Sequence, residues 1–227
     1  MKRLLSVILA LVLLTALFSC AETPDEVIYI YGGASDPNRA KLKKMGQQSW
    51  YPMYSTQINA GEEIDINTFK ECMLTETGLW KPAEEVVITS FVPGSDDEIT
   101  FRGAWFNIRK DGFAAGDTGF SAALKWVCEY DGTYDVHVAF SGGTSAGGPE
   151  EPYYQADGVY MSMFILDEMM FCVDSYSLPA HRIEQTEYDY NEIEMKAGDT
   201  VWLVADTKEN GGWDDPWWYL RIVRTGD

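Results

Sequence analysis

The sequence predicts an all-β fold, a single antiparallel β-sandwich with little helix. Three observations carry that expectation. Short runs rich in Val, Ile, Tyr, Phe and Trp recur along the chain, and most are bounded by Gly, Pro, Asp or Asn. Several of these runs alternate apolar and polar residues with a period of two. The hydrophobic share of 46% over 227 residues is enough for one sizeable core, and no heptad, internal repeat or Pro/Ser-rich linker divides the chain.

Taken in order, strand signals fall at VIYIY (27–31), VVITSFV (86–92), AWFNIRK (104–110), SAALKWVC (121–128) and TYDVHVAF (133–140). They continue at VYMSMFIL (159–166), MMFCV (169–173), IEMK (193–196), TVWLVAD (200–206) and WWYLRIV (217–223). In 133–140, Tyr134, Val136, Val138 and Phe140 share one face while Asp135, His137 and Ala139 share the other, the pattern of a half-buried strand. VYMSMFIL is apolar on both faces and is placed centrally in a sheet. Asp131-Gly132 and Ala197-Gly198-Asp199 supply tight turns. One helix is expected, from Asp36-Pro37-Asn38 through Met45 and ended by Gly46. Arg39, Lys41, Lys43 and Lys44 would form its solvated face.

The N-terminus carries an address. Lys2 and Arg3 precede an apolar run from Leu4 to Phe18, about the length of a signal-peptide core and short for a bilayer span. Leu17-Phe18-Ser19-Cys20 resembles the bacterial lipobox, in which the cysteine is lipidated and becomes the mature N-terminus; Phe18 is bulkier than that pattern prefers. The resemblance implies a signal peptide over 1–19 and an anchor and short linker over 20–26, and the strand-and-turn rhythm assigns 27–227 to one sandwich. The expected location is outside the cytoplasm, held on the bacterial cell membrane through lipidated Cys20.

Charge narrows the partners. The formal net charge is −19, and loss of Lys2 and Arg3 with the leader makes it −21. Such a surface repels nucleic acid, whose binding depends on Lys and Arg neutralising phosphates. Cys72, Cys128 and Cys172 remain after Cys20, with no metal-like spacing; they are buried thiols or include one disulfide, and the sequence does not choose a pair.

Catalytic motifs are sparse. Gly143-Thr144-Ser145-Ala146-Gly147 has the G-x-S-x-G pattern, but Gly148-Pro149-Glu150-Glu151-Pro152 follows where a nucleophile elbow needs a helix, so a glycine-rich loop is expected. His137 and His181 are the only histidines, too few for a zinc site. A glycosidase needs only two carboxylates at a set separation, and Glu150, Glu151, Asp157, Asp167, Glu168, Asp214 and Asp215 are candidates, but among 36 acidic residues nothing marks one as a proton-holding carboxyl. Calcium suits the acidic turn better: Asp206, Asn210 and Asp214, with Glu209 and Asp215 nearby, offer oxygens beside Gly211-Gly212.

The aromatic residues give the sharpest signal. Trp105, Trp126 and Trp202 are expected in the core. Trp213 follows two glycines, and Trp217 and Trp218, if in a strand, face opposite ways with Trp218 inward. Trp213 and Trp217 with Asp214 and Asp215, Tyr153 and Tyr154, and Trp50 and Tyr54 are the candidate ligand contacts, because flat rings beside hydrogen-bonding groups suit sugars.

Three stretches carry a wider resemblance: LKWVCEYDGTYDVHVAFSG (124–142), DGVYMSMFI (157–165) and AGDTVWLVADTKENGGWDDPWWYLRI (197–222). Together they resemble a jelly-roll module of exported bacterial proteins, through Trp126, Gly132 and Tyr134, then Asp157-Gly158-Val159, then Gly198-Asp199, Val201 and Asp206. The likeness spans about half the chain; 27–110 align only loosely, through Trp105 and Asn107. It implies a carbohydrate-binding-like β-sandwich of jelly-roll type and supplies no catalytic residue. The function expected is thus a lipid-anchored, non-catalytic module that binds glycan or another cell-surface polymer. An envelope or adhesion module gripping a protein partner through the same loops is the alternative, and a carbohydrate-active hydrolase or lyase a third.

Overall fold

A computed structural model describes residues 27–32, 43–56, 63–76, 79–82, 86–89, 98–101, 107–109, 112–114, 121–141, 159–174, 186–207 and 216–226. The strands are β1 (Val27–Gly32), β2 (Trp50–Ser55), β3 (Lys70–Glu71), β4 (Met73–Leu74), β5 (Trp80–Lys81), β6 (Val86–Thr89), β7 (Glu98–Phe101) and β8 (Asn107–Arg109). They continue as β9 (Gly112–Ala114), β10 (Ser121–Val127), β11 (Gly132–Ser141), β12 (Val159–Ile165), β13 (Glu168–Asp174), β14 (Thr186–Met195), β15 (Thr200–Thr207) and β16 (Trp217–Gly226).

Four antiparallel pairs are nested one inside another: β1 with β16, β10 with β15, β11 with β14, and β12 with β13. Contacts of β11 with β16 and of β12 with β15 join these pairs into two sheets, β1-β16-β11-β14 and β13-β12-β15-β10. Nested pairing shared between two sheets is the wiring of a jelly roll, which confirms the expected fold class. The segment between β1 and β10 widens both sheets. It adds β2 and β3 beside β10, and β9, β8, β5 and β4 beyond β16; β6 and β7 form a hairpin of their own.

Alternation decides what the sheets bury. Tyr134, Val136, Val138 and Phe140 from β11 and Trp218, Leu220 and Ile222 from β16 meet Leu124, Trp126, Met161, Met163, Val201 and Leu203 from the second sheet. Burial of this kind stabilises by roughly 25 cal/mol per Å² of apolar surface. Trp126 packs edge-on against Tyr29 and Tyr134, with centroids 5.0 and 5.5 Å apart. The outer face of the second sheet is covered too: Met53, Phe164, Trp202 and Val204 pack beneath Ile64, Ile66 and Phe69. Within VYMSMFIL, Val159 and residues 161–165 are thereby buried on both faces of the sheet, as the composition predicts, while Tyr160 is half-buried and Leu166, in the following turn, is exposed.

Among the described residues there is no α-helix. The 3-10 turn Ile66–Thr68 is capped by Asp65, whose side chain accepts from Asn67 N at 2.9 Å. Of the helix expected up to Gly46, only 43–46 are described; they form bends and a turn, with Gly46 left-handed at φ 73°.

The two ends of the sandwich differ. One end holds the tight turns 128–131, 166–167 and 196–199 together with the start of β1 and the finish of β16. The strand ends at the opposite end flank 142–158, 175–185 and 208–215. The tight-turn end is heavily bonded. Gly198 N donates to Cys128 O at 2.9 Å and Cys128 N to Asp199 O at 2.8 Å. The Asp131 carboxylate accepts from Ala197 N at 2.8 Å, and buried Arg224 donates to the Asp131 carbonyl through Nε and Nη2. Glu129 ties β1 to the turn before β2, accepting from the Tyr29 hydroxyl at 3.1 Å and the Ser49 hydroxyl at 2.5 Å.

Candidate functional site

Trp217 opens β16, directly after the GGWDDP segment, with Pro216 buried before it. Its neighbour Trp218 is wholly buried, so the two rings lie on opposite faces of the first sheet. Of the tryptophans described, Trp50, Trp80, Trp126, Trp202 and Trp218 are buried, and Trp217 alone keeps exposed surface. Across from it stand Ser141 on β11 and Gly112 on β9, among the smallest residues available.

The outward face of β16 continues from Trp217 to Tyr219 and Arg221, both partly exposed. Arg221 lies opposite His137, which in turn lies opposite Asp189 on β14. His137 Nδ1 is 2.8 Å from Asp189 Oδ1, and the His137 ring meets Tyr219 with centroids 5.7 Å apart. Two outward rings thus lie beside Arg221 and the bonded His137–Asp189 pair. This face can stack against an apolar ring surface and bond hydroxyls at one end.

Two expected contacts are corrected. Trp50 and Tyr54 lie in the main core, 0% and 1% exposed, because 50–55 is a strand and not a turn-rich loop. Both point inward from β2; Trp50 sits opposite Trp126 and tilts against Tyr31 at 5.6 Å. Neither can touch a ligand without opening the core.

Asp206, expected as a calcium ligand, is buried near the end of β15, and its carboxylate accepts from the Ser121 hydroxyl. Ser121 pairs with Ser55, whose hydroxyl is 2.8 Å from that of Thr68, so a short polar row crosses the outer face of the second sheet. Among the described residues, no group of three or more His, Cys, Asp or Glu side chains is placed to hold a metal ion. Asn210, Trp213, Asp214, Asp215, Tyr153, Tyr154, Cys20 and the G-x-S-x-G segment lie outside the described residues. Among the described residues, Cys72, Cys128 and Cys172 form no disulfide. Burial pushes the Cys72 and Cys128 thiols above the ordinary range.

Tyr219, Arg221, His137 and Asp189 were not singled out by the sequence. The signal was present in Trp217-Trp218-Tyr219-Leu220-Arg221-Ile222, where the odd positions are the outward set.

No protein-family model and no curated protein matches the sequence. Among solved structures, the chain is similar to the CBM36-1 domain of a multidomain xylanase from the hindgut metagenome of Trinervitermes trinervoides. That likeness has 17% identity, covers 46% of this chain and 76% of that one, and has a TM-score of 0.27. A family 35 carbohydrate binding module from Clostridium thermocellum is similar at 10% identity, over 63% of this chain and 95% of the other, with a TM-score of 0.27. Pika GITRL is similar at 12% identity, over 60% and 95%, with a TM-score of 0.26. Scores this low carry no ligand across; the jelly roll rests on the strand pairing itself.

Proposed function

We propose that this protein is a lipid-anchored, non-catalytic cell-surface module that binds glycan through the aromatic face beginning at Trp217. The observation that carries the reading is the contrast within β16: Trp218 is sealed in the core while Trp217 and Tyr219 stand outward in line with Arg221. Partly exposed rings on a strand offer an apolar stacking surface at little entropic cost, and Arg221, His137 and Asp189 beside them supply donors and acceptors for hydroxyls. The acidic surface disfavours anionic polymers, so a neutral glycan suits the face. Cys20, after the apolar leader, is the residue proposed to carry the lipid.

Two experiments test this. The protein is run in native gels containing soluble β-glucan, xylan or mannan, with the reducing ends in each mixture measured. Retardation by at least one polymer without new reducing ends supports a binding module; retardation by none overturns glycan binding, and released ends overturn the non-catalytic role. Labelling cells with radioactive palmitate tests the anchor, since Cys20→Ser must lose the label.

A further inference from the structure

The geometry points to a fixed orientation on the membrane: the tight-turn end of the sandwich faces the bilayer, and the Trp217 end is presented away from it. This rests on the proposed lipid at Cys20. The register supplies the polarity. Val27 pairs with Arg224 and Gly32 with Tyr219, so β1 enters the fold at the end holding turns 128–131, 166–167 and 196–199 and runs toward Trp217.

Length works against the reverse arrangement. Fully extended, residues 20–26 reach about 25 Å at roughly 3.3–3.6 Å per residue. Val27 lies level with Arg224, seven residues beyond Trp217, a distance of about 24 Å at roughly 3.4 Å per residue. To invert the domain, the tether would have to run that whole distance fully extended, with no length left for a turn at either end and at the full entropic cost of straightening it. The bonding at this end keeps the tether's attachment point from peeling away, because Tyr29, two residues into β1, is held by Glu129. Adhesion is not what holds it: Glu129, Asp131, Asp167 and Asp199 repel anionic head groups.

Fluorescent labels at the two ends read the orientation. In a Cys172→Ser background, with Cys72 and Cys128 buried, Ala197→Cys marks the tight-turn end and Glu187→Cys the opposite end. Both positions are exposed, and a circular-dichroism spectrum matching the parent protein establishes that each variant is folded. The full lipidated chain is placed in phosphatidylcholine vesicles that carry an energy acceptor on the head groups. Since β14 separates the two positions by about 27 Å at roughly 3.4 Å per residue, transfer from position 197 should exceed that from position 187 several-fold. Equal or reversed transfer in protein that floats with the vesicles overturns the orientation while leaving the anchor standing. Protein that does not float removes the anchor, and the orientation with it.

Discussion

Trp217 and Trp218 are adjacent in sequence and stand on opposite sides of the first sheet, one partly exposed and the other 0% exposed. Their alanine variants should therefore separate. Trp218→Ala leaves a cavity among Phe140, Leu220 and their neighbours and should cost about 3–5 kcal/mol in urea unfolding. Trp217→Ala should leave the unfolding midpoint nearly unchanged and weaken retardation by a bound glycan by about 1–3 kcal/mol, the scale of ring stacking. A large loss of stability in both would place Trp217 in the core and remove the stacking face.

Gly132 starts β11 where three strands converge. A Cβ there would lie 2.4 Å from the Gly226 carbonyl oxygen and 2.6 Å from Arg224 Nε. Gly132→Ala should destabilise by about 1–3 kcal/mol, the cost of overpacking a site where backbone must shift. An unfolding midpoint equal to that of the parent protein would show that β16 yields without strain.

The three thiols should react in a set order. Cys172 is partly exposed, whereas Cys72 and Cys128 are buried with their thiols held protonated by that burial. Native protein treated briefly with iodoacetamide should be modified at Cys172 first, and at all three only after unfolding, as peptide mass analysis would reveal. Early modification of Cys72 would contradict the packing around it.

Alkaline pH should unfold the protein. Burial raises the Tyr29 phenol, with Glu129 adding to the effect, and burial likewise raises Tyr134, with Cys128 adding. The folded state therefore keeps these protons after the unfolded chain begins to lose them near pH 10. Stability from this source is complete below that pH and declines above it, because the unfolded state then binds fewer protons. Urea midpoints should be level from about pH 8 to about pH 9.5 and fall by about pH 11. A midpoint unchanged at the highest pH would mean that these phenols ionise freely in the fold.

Sequence patterns reported the jelly-roll strands well where period and face agreed. β11 alternates cleanly, and its inward set follows from position alone. β14 was recognised only at its end, because its inward residues run Thr186, Tyr188, Tyr190 and then Ile193 and Met195. The three-residue step is a bulge: Glu192 has a positive φ of 58°, and its N–H donates to Asp135 at 2.9 Å. β2 was hidden by Pro52, which reads as a turn residue. It is tolerated because the strand's far side meets only the two-residue β3, where the Pro52 carbonyl accepts from Cys72 N at 2.9 Å. Trp50 and Tyr54 were misplaced as a direct result. The outward row of Tyr219, Arg221, His137 and Asp189 depends on register between strands far apart in sequence, which a single-strand pattern does not contain.

The position of β16 also governs when the protein can fold. It lies between β1 and β11, so neither sheet neighbour of this strand is complete until residues 217–226 have arrived. A chain emerging N-terminus first, from a ribosome or an export pore, holds β1 without its partner through almost its whole synthesis or passage. Closure by such distant pairing is slow, since the loop entropy is lost before the contacts reward it. The nested wiring thus acts as a timer: it keeps the growing chain threadable and lets the sandwich close only after its last strand is through.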